Sequence, residues 1–196
     1  STRLLSERPH TKKISNVLFC GGVNYESKDK KEELGKNNDK VAYYRMSHEI
    51  IGLPYLAGSL TEVDSISFYR NNSKDSILVG MQASEGVLRN LLEKYSVIHI
   101  ATHGYFSNSS SCASDIKPAS TDDQLSNSCL FLAGAESCMN SSRFSPDNYD
   151  GILSARELAE QDLSNVNLLV LSACQSGLGY ICTDGVYGLQ RGLKTA

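Results

Sequence analysis

Several function classes are disfavoured by what this sequence lacks. Positive charge is not in excess: 19 lysines and arginines stand against 22 aspartates and glutamates, for a net charge of −3. The basic field on which nucleic-acid binders rely is therefore missing. No apolar run reaches the length that crosses a bilayer, and residues 1–9 lack the apolar core of a signal peptide. The expectation is a soluble, cytoplasmic protein with neither a membrane nor a nucleic acid as direct partner. The six cysteines, Cys20, Cys112, Cys129, Cys138, Cys174 and Cys182, contain no C-x-x-C pair, which favours free thiols over a disulfide framework. A zinc site built from Cys112, Cys129 and Cys138 needs a fourth ligand and close-spaced pairs, and the sequence offers neither. No metal or cofactor is expected. Asn71, Asn108 and Asn140 open N-x-Ser sequons, which without secretion are read as chance. The glycines between Gly177 and Gly192 miss the G-x-G-x-x-G spacing of a nucleotide loop and follow a late strand. Ser172 lacks the G-x-S-x-G frame of a serine hydrolase.

What remains is a chain of 196 residues with 40% apolar composition, enough for one α/β domain with a substantial core. Residues 1–13 are polar and read as a linker or the tail of a preceding region, with the domain proper over 14–196. Residues 16–23 form an apolar run that reads as the first strand. The charged stretch 25–40 is expected to be a mobile, solvated loop. Leu60, Val63, Ile66 and Phe68 recur near helical spacing over 59–69, with Ser59 or Thr61 as cap and Glu62 in the first turn. A second strand over 76–80 and a second helix beginning at Ser84, with Val87, Leu88, Leu91 and Leu92, follow. Strand, helix, strand in this order implies crossover connections and a mostly parallel sheet. Further on, serine-rich loops over 107–128 and 136–149 flank a short strand at 129–133. Ser154 and Glu157 form a capping box for a helix over 154–161.

Two stretches end alike. Leu168 to Leu171 is an unbroken apolar run, read as a strand buried on both faces, which delivers Cys174 to a sheet edge. The run 96–101 does the same for His103. In open parallel sheets chemistry collects at the carboxyl ends of the strands, so a cysteine and a histidine are expected to share one cleft. A thiolate attacks carbonyls, and an imidazole accepts its proton or protonates a leaving amine. Cys174 is thus the candidate nucleophile and His103 the candidate general acid/base. Acyl transfer also needs donors aimed at an oxyanion, and the N–H groups of Gly104 and Cys174 are the candidates. Asp150 is a candidate for shaping the substrate cleft, although an acid before a glycine is more often a turn residue. His99 alternates into the core, and His10 and His48 lie outside any motif; none of the three is assigned a role. Beyond Cys174, the spacing of Val186, Leu189 and Leu193 predicts a loop leading into one helix.

An ordered set of motifs carries a family resemblance: Leu60-Thr-Glu-Val-Asp64, Ala83-Ser-Glu85, Ile98-His-Ile-Ala-Thr-His103-Gly104, Asp150-Gly-Ile-Leu-Ser-Ala-Arg-Glu157, Leu169-Val-Leu-Ser-Ala-Cys174-Gln-Ser-Gly177 and Gly185-Val-Tyr-Gly-Leu-Gln-Arg-Gly192. From about residue 57 onward the chain resembles the CHAT domain, a caspase-like (clan CD) cysteine peptidase family related to separases and caspases. The resemblance implies a caspase-like three-layer sandwich, a mostly parallel sheet flanked by helices, and a Cys-His dyad that needs no acidic third member. It implies a protein substrate, regulation by a tetratricopeptide-repeat region or another regulator, and a setting in bacterial regulated proteolysis or defence. Relatives continue past this point with a tryptophan-bearing strand, whereas this sequence contains no tryptophan. The C-terminal strands are therefore expected to belong to a small-subunit-like segment, and this chain to be the large-subunit-like part. The competing expectation is a catalytically inactive CHAT-like scaffold for protein–protein interaction.

Overall fold

A computed structural model describes residues 15–26, 52–106, 125, 127–140, 149–174, 179–182 and 185–196. Residues 1–13, most of the charged stretch after Tyr25 and much of the two serine-rich loops lie outside the described residues.

The centre of the molecule is β1 (Val17–Val23), buried along its whole length. Side chains alternate across a strand, and β1 uses both sides. Val17 and Phe19 join Val97, Ala101 and Val63 in one apolar cluster, while Leu18 and Cys20 join Leu78, Leu88, Leu92, Ile98 and Ile100 in the other. Three further strands run parallel to it, β2 (Ser76–Gly80), β3 (Val97–Ala101) and β7 (Leu168–Ser172), in the order β2-β1-β3-β7. Helix α1 (Ala57–Arg70) supplies Val63 to the first cluster, and α2 (Glu85–Leu92) and α4 (Ala155–Ala159) supply Leu88, Leu92 and Leu158 to the second. Helices therefore cover both faces of a parallel sheet, as the caspase-like reading requires.

The first helix begins two residues earlier than the sequence pattern suggests, and neither predicted cap acts as one. Leu56 holds the N-cap position without a side-chain bond. Ser59 Oγ instead donates to the Leu56 carbonyl at 2.8 Å and accepts the Gly22 N–H at 2.9 Å, tying the helix to the end of β1. The approach is close: a Cβ on Gly21 would lie 2.6 Å from the Ser59 carbonyl oxygen. Glu62 consequently falls in the second turn. The helix ends at Asn71, whose N–H still reaches Ser67 O and whose left-handed backbone (φ 43°) turns the chain out of the helix.

Three expectations need correction. β7 is not buried on both faces: none of its five residues is fully buried and Leu168 is 51% exposed, and among the described strands it pairs only with β3. An all-apolar strand sequence does not distinguish a centre from an edge. Tyr25 is no part of a mobile loop but a core residue, 2% exposed. Finally, Val186 is not helical. A hairpin of β8 (Gly179–Cys182) and β9 (Gly185–Gly188) precedes the short α5 (Leu189–Thr195).

A second, antiparallel sheet has the order β4-β5-β6, from Gly104–Phe106, Ser128–Phe131 and Ile152–Ser154. Only its central strand is foreshadowed by the sequence pattern; strands of three residues carry too few positions to show an alternation. Helix α3 (Ala135–Asn140) follows β5, and α4 opens with the predicted capping box of Ser154 and Glu157. Among the described residues no helix is long and apolar enough to cross a membrane.

Candidate active-site rim

The register of β3 against β7 pairs Ala101 with Ser172, so the residues that follow each strand emerge side by side. The Thr102 N–H donates to Ser172 O at 3.2 Å. One step further, a Cβ built on Gly104 would lie 2.5 Å from the Cys174 carbonyl oxygen and 3.2 Å from Ala173 Cβ. A side chain at 104 has no room, and glycine there is what lets the backbone after His103 lie against the backbone of Cys174. Cys174 is exposed and unbridged, and His103 is half-buried. The sequence-predicted residues His103, Gly104 and Cys174 therefore lie on one rim.

The imidazole is oriented from two sides. Its Nε2 lies 2.8 Å from the Pro54 carbonyl oxygen; a carbonyl only accepts, so Nε2 carries the hydrogen. In the neutral ring this leaves the lone pair on Nδ1. The ring also packs on that of Tyr25, with centroids 5.0 Å apart and tilted 48°. Thr102 Oγ1 donates its hydrogen to Phe131 O, so it must accept from Tyr25 Oη, 2.9 Å away. The His103 N–H in turn donates to Tyr25 Oη at 3.4 Å. A directed chain of hydrogen bonds thus runs from the His103 backbone through Tyr25 and Thr102 into β5. Neither Pro54 nor Tyr25 is singled out by sequence reasoning, since a backbone carbonyl and a tyrosine after a strand carry no motif.

Beside Cys174 opens a cleft of about 370 Å³, lined by Leu56, Gly58, Ser59, Glu62, Thr102, Ser172, Ala173 and Cys174. That volume suits a side chain or small ligand. His103 stands next to the cleft rather than in its lining. Glu62, read in the sequence only as an early helix acid, reaches across from α1: its Oε1 accepts from Ser172 Oγ at 2.6 Å and from His99 Nε2 at 2.8 Å. His99 is buried, as its alternation predicts, at 8% exposure. His10 and His48 lie outside the described residues.

Asp150 is not among the residues lining this cleft. Its Oδ1 accepts the Ile152 N–H at 2.8 Å, and its carboxyl is raised above the usual carboxylate range, chiefly by burial. It acts as the turn residue that its place before a glycine predicts. Next to it Glu85, 1% exposed, accepts the Gly151 N–H through Oε2 at 3.1 Å and pairs with Arg89 through Oε1 at 3.2 Å. Burial, then the nearby charges of Glu157 and Asp150, push the Glu85 carboxyl up to about 7.

Cys20 and Cys129 are buried and Cys138 is half-buried, whereas Cys174 is exposed. Burial raises Cys20 to about 12, raises Cys129 strongly, and is the main cause that takes Cys138 to about 11. Cys112 is outside the described residues. Among the described residues no group of three or more His, Cys, Asp or Glu side chains is placed to hold a metal ion.

No curated protein matches the chain in sequence. The CHAT domain model matches residues 5–196, nearly the whole chain, in keeping with the parallel sheet covered by helices on both faces. The protein belongs to the CHAT domain family, a family related to the caspase-like peptidases of clan CD.

Proposed function

We propose that the protein is a cysteine endopeptidase that cuts a protein substrate with a Cys174–His103 dyad. The observation that supports this reading is the shared rim: the backbone after His103 lies against that of the exposed Cys174, and the imidazole is held by the Pro54 carbonyl and the Tyr25 ring. His103, through Nδ1, takes the thiol proton, and the sulfur attacks the peptide carbonyl carbon. The N–H groups of Gly104 and Cys174 stabilise the resulting oxyanion. The C–N bond then breaks as His103 returns the proton to the leaving amine, giving a thioester. Water, deprotonated by His103, hydrolyses the thioester and regenerates the thiol.

In this reading a small-subunit-like segment pairs with β7 on the side away from β3, and a tetratricopeptide-repeat region or another regulator controls access to the rim. The test is an electrophilic peptide probe applied to the wild-type protein, Cys174→Ala and His103→Ala. Labelling is expected for the wild type, none for Cys174→Ala, and at least tenfold slower labelling for His103→Ala. Equal labelling of all three would leave the inactive scaffold as the better reading.

A further inference from the structure

The cleft beside Cys174 contains one ionisable side chain besides the thiol itself, Glu62, and no lysine or arginine. Two described partners bond its carboxyl group, Ser172 and His99, and both take Oε1. Among the described residues none bonds Oε2, and 37% of the side chain is exposed. Satisfying a buried histidine explains one oxygen of this carboxylate. It does not explain the other, which stands at a solvent-open wall next to the candidate nucleophile, where a burial-driven helix face would otherwise carry an apolar residue.

We propose that Glu62 is a specificity residue that makes this cleft select a lysine or arginine side chain on the residue contributing the attacked carbonyl. The inference rests on the reading of Cys174 as the nucleophile. With the carbonyl carbon against Sγ, that residue's side chain branches off one bond away and enters the space that begins at Cys174. Leu56 and Ala173 offer apolar contact to the aliphatic stem of a long cationic side chain, while its charged head reaches Oε2. An aspartate or glutamate at the same place would meet Glu62 as a like charge, with no cation in the lining to offset it.

The experiment compares kcat/KM for three fluorogenic peptides that differ only in that residue, arginine, methionine or glutamate, on the wild-type protein, Glu62→Gln, Glu62→Asp and Cys174→Ala. The wild type is expected to prefer arginine over methionine and to reject glutamate, with the preference weakening as salt rises. Glu62→Gln retains an oxygen for Ser172 and His99 but loses the charge, and should reduce the arginine-to-methionine ratio by about tenfold or more. Glu62→Asp should keep part of the preference. A purely structural role lowers both rates together and leaves the ratio unchanged, so partial misfolding does not imitate the result. An unchanged ratio in Glu62→Gln, with turnover still abolished by Cys174→Ala, overturns the role of Glu62 and leaves the peptidase reading standing. Turnover of none of the peptides by the wild type, or equal turnover by Cys174→Ala, overturns both.

Discussion

Glu85 gives the stability of this fold a pH dependence that is opposite in sign to that of an ordinary paired carboxylate. Its side chain is buried at the start of α2, facing the Arg89 guanidinium, the Glu157 and Asp150 carboxyls and the Gly151 N–H. Desolvation disfavours the charged form more than Arg89 and the Gly151 N–H favour it, so the folded-state value rises from 4.5 to about 7. Below about pH 4.5 the carboxyl is protonated in both folded and unfolded chains and costs nothing. Between 4.5 and about 7 the unfolded chain ionises and the folded one does not, so folding stability declines as pH rises. Above about 7 the folded state carries the buried charge and the decline levels off. The gap from 4.5 to about 7 corresponds to about 3 kcal/mol over that window, a large part of a typical domain's stability. Asp150, also raised by burial, acts in the same direction. Urea unfolding followed from pH 4.5 to 8 should show this decline in the wild type and a much flatter profile in Glu85→Gln, which keeps an acceptor for Gly151 but no proton to lose. Above neutral pH the variant should match or exceed the wild type, because Arg89 retains Glu157 at 3.7 Å. Parallel profiles for the two proteins would mean that Glu85 ionises in the fold as it does in water, and the desolvation argument would be wrong.

Gly104→Ala forces a Cβ to within 2.5 Å of the Cys174 carbonyl oxygen, so backbone must move at the rim; a loss of about 1–3 kcal/mol in urea unfolding and a larger fractional loss of probe labelling at Cys174 are expected. Wild-type labelling by this variant would show that the spacing of the two backbones is irrelevant to reactivity. Tyr25→Phe keeps the ring against His103 but leaves the His103 N–H and Thr102 Oγ1 without their shared partner, at a cost of about 1–2 kcal/mol in denaturant unfolding; an unchanged midpoint would refute the directed chain. Ser154→Ala removes the capping box of α4, in which Ser154 Oγ accepts the Glu157 N–H at 3.2 Å. It should lower stability by about 1 kcal/mol, and no change in the urea midpoint would count against the capping geometry.

The layers of this fold were legible because period and burial coincide in its longest elements. β1 alternates between two apolar clusters and remains apolar at every position but its glycines, as a strand covered on both faces requires. The two strand ends were legible for the same reason: apolar runs that stop at Ala101-Thr-His103-Gly and Ser172-Ala-Cys174 announce where a parallel sheet turns outward. What the pattern does not carry is lateral position. Leu168 to Leu171 reads the same whether a strand has one neighbour or two, and only the strand order of the folded sheet makes β7 an edge among the described strands.

The supporting parts of the candidate site were illegible for a different reason. The Pro54 carbonyl, the Tyr25 hydroxyl and the Glu62 carboxylate act on His103 and the cleft over separations of 49, 78 and, from Glu62 to Ser172, 110 residues. No spacing rule operates at such range, because each contact depends on which helix turn or strand end the packing happens to bring near. Glu62 shows the consequence. A shift of the helix start from 59 to 57 moves it from a first-turn acid, where it would serve the helix dipole, to the second turn, where it faces His99 and Ser172 across the sheet. Two residues of helix boundary, within the ordinary uncertainty of sequence reasoning, separate an acid of no consequence from the single carboxylate in the cleft beside Cys174. If that carboxylate selects the substrate's side chain, the specificity of the protein lies in the part of its sequence that periodicity describes least well.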